Sequence, residues 1–143
     1  MSDKTENKWE HFPHKADMGI RGMGPTKAAA FEQAALAMTA IITDPEKIEP
    51  ENEVQIACDG KDDEILFIDW LSQVIYEMDS RKMLFGRFEV EIDQNRLTAK
   101  AWGEDIVPQK HEPAVEVKAA TYSELRVYKD KNGNWVAQCV VDV

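Results

Sequence analysis

The segment from His14 to Asp17 holds the side chains whose types and spacing best suit metal binding or proton transfer. His14 lies three residues before Asp17, and an imidazole and a carboxylate can each bind a metal ion or exchange a proton. We expect a polar connection here, because Pro13 precedes the segment and an alternating stretch follows it. His14 is therefore a candidate metal ligand or proton donor, whereas His11 and His111 are expected to be structural or solvated.

A second group of acids lies at the end of the sequence. Asp142 follows the apolar run Cys139-Val140-Val141 and precedes only Val143, so its carboxylate and the terminal carboxylate are adjacent anions. Periodicity alone favours a solvated acidic tail. Asp69 lies in the middle of an otherwise apolar helical stretch. It is either solvated or paired, and the sequence leaves both interpretations open.

Motifs for covalent catalysis and for phosphate binding are absent from the sequence. The serines lack a GxSxG context, and no phosphate-loop or dinucleotide-binding pattern occurs. Gly19, Gly22 and Gly24 are predicted to relieve a strand bend or allow close backbone approach rather than to cradle a phosphate. Cys58 and Cys139 belong to no CxxC or zinc-binding spacing, so we predict two buried, reduced thiols.

The overall charge argues against tight, direct binding of nucleic acid. The 143 residues include 27 acidic and 17 basic side chains, which gives a formal net charge of −10. The basic residues are scattered, and the densest group, Arg81-Lys82 with Arg87, is small. Because nucleic-acid binding depends on a basic face that neutralises phosphates, any role in RNA metabolism is expected to pass through a protein partner.

Length and polarity predict one soluble domain. No apolar run approaches the roughly 18 residues that a membrane span requires, and residues 1–8 are too polar for the apolar core of a signal peptide. We therefore expect a flexible start over residues 1–8, a single domain over residues 9–143, no membrane association and a cytoplasmic location. The oligomeric state stays open.

Two long helices are predicted from apolar periodicity. Residues 28–42 are rich in alanine and have Thr26 as the expected N-cap, and Asp44-Pro45 is expected to end the helix. Residues 65–81 carry the strongest helical pattern of the chain, with a wide apolar stripe that predicts a central helix covered on two sides. The acids at 62–64 favour its N-terminus.

Alternating apolar residues predict strands over 9–12, 18–23, 54–58, 88–92, 97–102, 125–128 and 135–141. Pro13 is expected to end the first strand, because it cannot donate a ladder hydrogen bond. Turn residues at 93–96 and at Asn132-Gly133 predict two hairpins. Residues 116–118 begin an ordered piece without a firm assignment. These elements predict an α+β fold, with two main helices packed against an antiparallel or mixed sheet of hairpins.

Four segments together resemble the archease family. They are residues 9–20 (WEHFPHKADMGI), 69–71 (DWL), 116–122 (EVKAATY) and 140–143 (VVDV). The HxAD motif alone would be weak evidence for this family. Four segments in this order, with the last at the end of the sequence, are specific to it. The resemblance covers essentially the whole chain from Trp9 onward.

The resemblance implies an α+β accessory protein of the GTP-dependent RNA ligase of tRNA splicing and RNA repair. Such a protein is not itself catalytic; it promotes guanylylation of the ligase and permits multiple turnover. The resemblance also implies a divalent-cation site, most often calcium, with magnesium or manganese as alternatives. By motif match, Asp17, Asp142 and Val143 would be its ligands. There are two alternatives. One is a chaperone-like modulator of a tRNA methyltransferase, and the other is a metal-dependent hydrolase.

The implied ligands have a simple electrostatic consequence. Two like charges about 4 Å apart repel by about 4 kcal/mol at an effective dielectric constant of about 20, so a cation, Lys15 or a bound proton must neutralise them. Oxygen ligands suit hard cations such as calcium rather than zinc or copper. Lys15, where archeases commonly have Thr or Gly, is expected to compete with the metal.

Overall fold

The computed structural model describes residues 7–143, which form eight strands, three helices and one 3-10 turn. The strands are β1 (Lys8–His14), β2 (Asp17–Gly24), β3 (Asn52–Asp59), β4 (Met83–Asp93), β5 (Arg96–Asp105), β6 (Ala119–Ala120), β7 (Arg126–Lys129) and β8 (Trp135–Asp142). The helices are α1 (Lys27–Ile42), α2 (Asp63–Arg81) and the short α3 (Pro108–His111), and the 3-10 turn spans Pro45–Lys47. Of the predicted flexible start, residues 1–6 lie outside the described residues, and Lys8 already belongs to β1.

The strands form two sheets rather than one, and every described pairing is antiparallel. The larger sheet has the order β1-β2-β8-β6, with β7 also paired to β8, and the smaller has the order β3-β5-β4. The predicted α+β class is confirmed. The predicted hairpin strands are divided between two sheets, and α2 lies against strands of both.

The first strand continues through Pro13, so the prediction that this proline ends the strand is wrong. Pro13 pairs with Met18, and β1 reaches His14 before a two-residue turn leads into β2. A strand at the edge of a sheet tolerates proline, because the missing N–H can lie on the unpaired side. β1 is such an edge strand.

Helix α1 begins and packs as predicted. The hydroxyl of Thr26 accepts a hydrogen bond of 3.0 Å from the Ala29 amide, which satisfies one free N–H of the first turn. A Cβ atom on Gly22 would lie 2.2 Å from the carbonyl oxygen of Ala30. Only glycine therefore allows β2 to approach the helix so closely, which confirms the predicted close backbone approach.

Helix α2 occupies the centre of the molecule. Its Asp62 N-cap accepts a hydrogen bond of 2.9 Å from the Ile65 amide, and the fully buried Trp70 donates from Nε1 to the Phe31 carbonyl oxygen of α1 at 3.0 Å. Asp69 is half-buried and forms no ion pair within residues 7–143. In the part of the chain described, no helix combines the length and apolarity needed to cross a membrane.

The end of the chain lies inside the larger sheet. β8 has β2 on one side and β6 and β7 on the other, so the predicted hairpin around Asn132-Gly133 is confirmed. The preceding residues 116–118 lead into β6. Both cysteines are free thiols: Cys139 is buried and Cys58 is half-buried. Burial raises the pKa of Cys139 to about 12, which keeps this thiol protonated and unreactive.

Candidate cation site

Strand pairing brings Asp17 and Asp142 to the same end of two adjacent inner strands of the larger sheet. The β2–β8 register ends with Met18 opposite Val141, and one further step along both strands leads to Asp17 and Asp142. Opposed residues of antiparallel strands lie on the same face. Residues 125 positions apart in sequence thus become neighbours at the strand ends.

His14 extends this row of polar residues onto β1. It pairs with Asp17 across the turn that joins β1 to β2, and its Nδ1 atom is buried without a hydrogen-bond partner within residues 7–143. A buried imidazole nitrogen without a partner is unfavourable, since the atom has lost its water and gained nothing in return. His14 stays a candidate metal ligand or proton donor, but within residues 7–143 its side chain does not join those of Asp17 and Asp142 in a group that could hold a metal ion.

The backbone of Asp142 is fixed by the segment that precedes β6. The Lys118 amide donates a hydrogen bond of 2.8 Å to the Asp142 carbonyl oxygen, and Ala119 pairs with Asp142 in the sheet. Val143 is half-buried, with its side chain packed against the hydrophobic core. Asp142 and Val143 are therefore held in position and half-buried, whereas periodicity alone favoured a solvated acidic tail.

Lys15 lies in the turn between His14 and Asp17 and has a backbone φ of 52°. This left-handed conformation costs an L-amino acid with a Cβ atom about 1–2 kcal/mol. Within the described residues, Lys15 forms no ion pair with Asp17, Asp142 or any other acid. The carboxylates of the candidate site thus have no lysine partner of their own in this part of the chain.

The site offers fewer side-chain ligands than a complete calcium cage. Within residues 7–143 no group of three or more His, Cys, Asp or Glu side chains is arranged to hold a metal ion. Asp17 and Asp142 are two carboxylates, and any oxygen from the chain end would be a main-chain group. Calcium takes six to eight oxygen ligands, so water, main-chain oxygens or a partner would have to supply the others. The donor chemistry fits a hard cation, with an open coordination shell.

The other histidines have structural roles. His11 makes a hydrogen bond of 2.7 Å from Nε2 to the Ala37 carbonyl oxygen of α1. His111 is 1% exposed; its Nδ1 accepts a hydrogen bond of 2.9 Å from the Val107 amide, and its Nε2 lies 2.9 Å from Oε2 of Glu104. Since Nδ1 is an acceptor here, Nε2 carries the proton and donates it to the carboxylate.

Sequence reasoning missed Glu104 as the partner of His111. Hydrogen bonds from the Lys110 ammonium at 2.7 Å and from the Glu49 amide at 2.9 Å also end on its Oε2 atom. These interactions hold the pKa of Glu104 at about 2. Leu97, Ala99 and Ala101 of β5 point inward, and strict alternation would place residue 104 on the outward face. The alternating pattern therefore gave no sign that Glu104 is buried.

The sequence profile of the archease protein family matches residues 9–143. The chain belongs to the archease family. It is 42% identical over 140 residues to protein archease of Pyrococcus furiosus, covering 95% of this chain and 99% of that protein. It is 41% identical over 138 residues to protein archease of Sulfurisphaera tokodaii, with the same coverage.

Solved structures agree with this assignment. The solution structure of Methanobacterium thermoautotrophicum protein 1598 has a TM-score of 0.83 and 33% identity, and the match covers 94% of this chain and 98% of that one. A crystal structure of an archease from Thermotoga maritima, described as a possible chaperone, has a TM-score of 0.58 at 20% identity, covering 94% and 96%. That more distant likeness concerns the archease fold alone.

Proposed function

We propose that this archease is a non-catalytic accessory protein that activates a GTP-dependent RNA ligase through a divalent-cation site at Asp17, Asp142 and Val143. The observation that supports the proposal is the register of β2 against β8, in which Asp17 and Asp142 each lie one step beyond the last residue pair, Met18 and Val141. Family membership supplies the expected partner, as the motif resemblance implied. The promoted step is guanylylation of the ligase, in tRNA splicing or RNA repair.

The electrostatics of the strand ends support a cation at this place. Neither aspartate has a basic partner within residues 7–143, and both side chains are half-buried. Carboxylates held together in partly desolvated surroundings repel each other unless a cation or a proton compensates them. The all-oxygen donor set favours calcium, with magnesium or manganese as alternatives.

The protein's own residues would bind and orient rather than catalyse. When bound, a divalent cation would supply positive charge for the phosphate oxygens of a nucleotide in the partner's active site. Asp17 and Asp142 would hold it at the ends of β2 and β8, and the incomplete ligand set would leave positions open toward the partner. With a net charge of −10, the protein is not expected to bind RNA tightly on its own.

A guanylylation assay tests the proposal directly. Purified cognate ligase is incubated with radiolabelled GTP, with and without the archease, and with the Asp17→Asn and Asp142→Asn variants. The wild type should increase ligase–GMP formation and permit multiple turnover, and each variant should lose this effect while retaining its fold by circular dichroism. Equal stimulation by the wild type and by both variants would exclude a cation-dependent activator.

A role that does not use the cation makes a different prediction. A chaperone-like modulator of a tRNA methyltransferase should retain its effect when both aspartates are replaced. A metal-dependent hydrolase should turn over a model phosphoester without any partner. Either result, with no stimulation of the ligase by the wild-type protein, would replace the proposal.

A further inference from the structure

An apolar groove of about 150 Å³ lies between the end of α2 and the segment that leads from α3 to β6. Eleven residues line it, of which nine are apolar and two, Asp79 and Glu116, are acidic. Met78 and Met83 are among the apolar ones, and methionine adapts its shape readily to a bound side chain. Ligand pockets for whole small molecules usually measure about 300–1,000 Å³, so this groove suits one or two inserted side chains.

Two exposed apolar side chains line this groove. They are Ile106 and Val115, two of the six large apolar residues that are exposed within residues 7–143. Ile106 is 36% exposed and Val115 is 41% exposed. Apolar side chains that are left exposed side by side at a recess mark a binding surface.

Backbone hydrogen bonds hold the walls of the groove in place. The Ala114 amide donates to the Ile42 carbonyl oxygen at 2.8 Å, and the Ile106 amide donates to the Lys82 carbonyl oxygen at 3.0 Å. The Thr43 hydroxyl donates to the carbonyl oxygen of the buried His111 at 2.5 Å. A preformed groove reduces the conformational entropy that a partner must overcome on binding.

Charge selects the kind of partner. Asp79 on α2 and Glu116 on the opposite wall are both exposed, and neither belongs to an ion pair within residues 7–143. Nucleic acid and anionic lipid would be repelled by this rim. A second copy of the chain, with a net charge of −10, would bring the same acids against each other. A segment with an apolar anchor and flanking Lys or Arg residues complements the groove.

The groove is directly connected to the candidate cation site. Val117 lines the groove and is 5% exposed, and the next residue, Lys118, donates its amide hydrogen to the Asp142 carbonyl oxygen at 2.8 Å. A partner bound in the groove would therefore contact Val117, whose neighbour Lys118 is hydrogen-bonded to Asp142. Docking and cation-dependent action can use adjacent parts of the surface.

We propose that this groove is the docking site for a partner protein, and that it binds an apolar side chain flanked by basic residues. The identity of that partner as the RNA ligase rests on the proposed function, whereas the chemistry of the docked segment does not. The groove would supply affinity, and the cation site would act on the docked partner.

Calorimetric titration of the ligase with matched variants separates these roles. Asp79→Lys combined with Glu116→Lys should raise the Kd at least about tenfold, and Ile106→Gln should weaken binding similarly. The control pair, Glu53→Lys with Glu91→Lys, makes the same change in net charge at exposed acids of the smaller sheet and should leave the Kd unchanged. Asp17→Asn should retain binding yet lose stimulation of guanylylation. Equal weakening by the groove pair and the control pair would overturn the docking site.

A peptide probe tests whether the groove binds apolar and basic residues even if the ligase does not bind at all. A short amphipathic peptide with leucines on one face and lysines on the other is titrated into the labelled protein and followed by amide NMR shifts. Shifts at Ile75, Met78 and Val115, with none for a matched leucine–glutamate peptide, are expected. Shifts confined to other surfaces, or equal binding of both peptides, would refute the groove. No ligase binding by the wild type would refute the proposed partner alone.

Discussion

The Lys118 amide donates a hydrogen bond of 2.8 Å to the carbonyl oxygen of Asp142. This contact joins the wall of the apolar groove to one of the two aspartates at the strand ends. The backbone of Asp142 is thus fixed on this side by the segment that precedes β6, and on the other side its strand pairs with β2. A change at either aspartate is therefore expected to alter chemistry more than fold.

Replacing either aspartate by its amide should weaken calcium binding. Asp17→Asn and Asp142→Asn each remove one negative charge, and the Kd for calcium should rise at least about tenfold. Titration calorimetry measures this, and thermal unfolding without metal should be unchanged or slightly improved, because like-charge repulsion is relieved. Asp93→Asn, at the exposed end of β4, is the matched control, and an equal loss of affinity there would contradict the site.

Replacing Lys15 should separate backbone strain from charge. Lys15→Gly should raise the free energy of unfolding by about 0.5–1 kcal/mol relative to Lys15→Ala, because the φ of 52° suits glycine and strains alanine. Urea denaturation measures the difference. Both variants should bind calcium more tightly than the wild type if the lysine competes with the cation. Unchanged affinity in both would remove Lys15 from the electrostatics of the site.

Extending the chain beyond Val143 should weaken calcium binding. A C-terminal tag converts the terminal carboxylate into a neutral amide and crowds Asp142. The same tag at the N-terminus provides the control. Equal calcium affinity of the two tagged forms, measured by calorimetry, would show that the terminal carboxylate is not a ligand.

Acid should reveal the contribution of Glu104 to stability. Hydrogen bonds from Lys110 and from the Glu49 amide lower the pKa of this carboxyl from 4.5 to about 2 in the folded protein. Its contribution to the free energy of unfolding is therefore complete above about pH 4.5 and disappears as the pH falls toward about 2. Urea denaturation of the wild type and Glu104→Gln across this range should show their difference shrinking with acid. A difference that stays constant, or that also appears for the exposed Glu91→Gln, would contradict this assignment.

Several features of the fold were predictable from short stretches of sequence. Thr26 and the alanine-rich stretch after it predicted α1, and Asn132-Gly133 predicted the hairpin before β8; both are confirmed. These signals are local, because helix caps, turns and apolar periodicity depend on residues within a few positions of one another. The prediction that Pro13 ends the first strand is wrong because an edge strand tolerates proline. Only the assembled sheet shows that β1 is at an edge.

The sequence by itself determined the class of fold, the two long helices and, through four motifs, a resemblance to a family. The tertiary structure decided which distant residues meet. Periodicity alone gave Asp142 no neighbour, whereas the register of β2 against β8 brings Met18 opposite Val141, so that Asp17 and Asp142 follow at the same end of the two strands. The burial of Glu104 and His111 and the formation of the apolar groove likewise require segments far apart in sequence to pack together. Burial is a property of the folded surface and not of any single stretch of sequence.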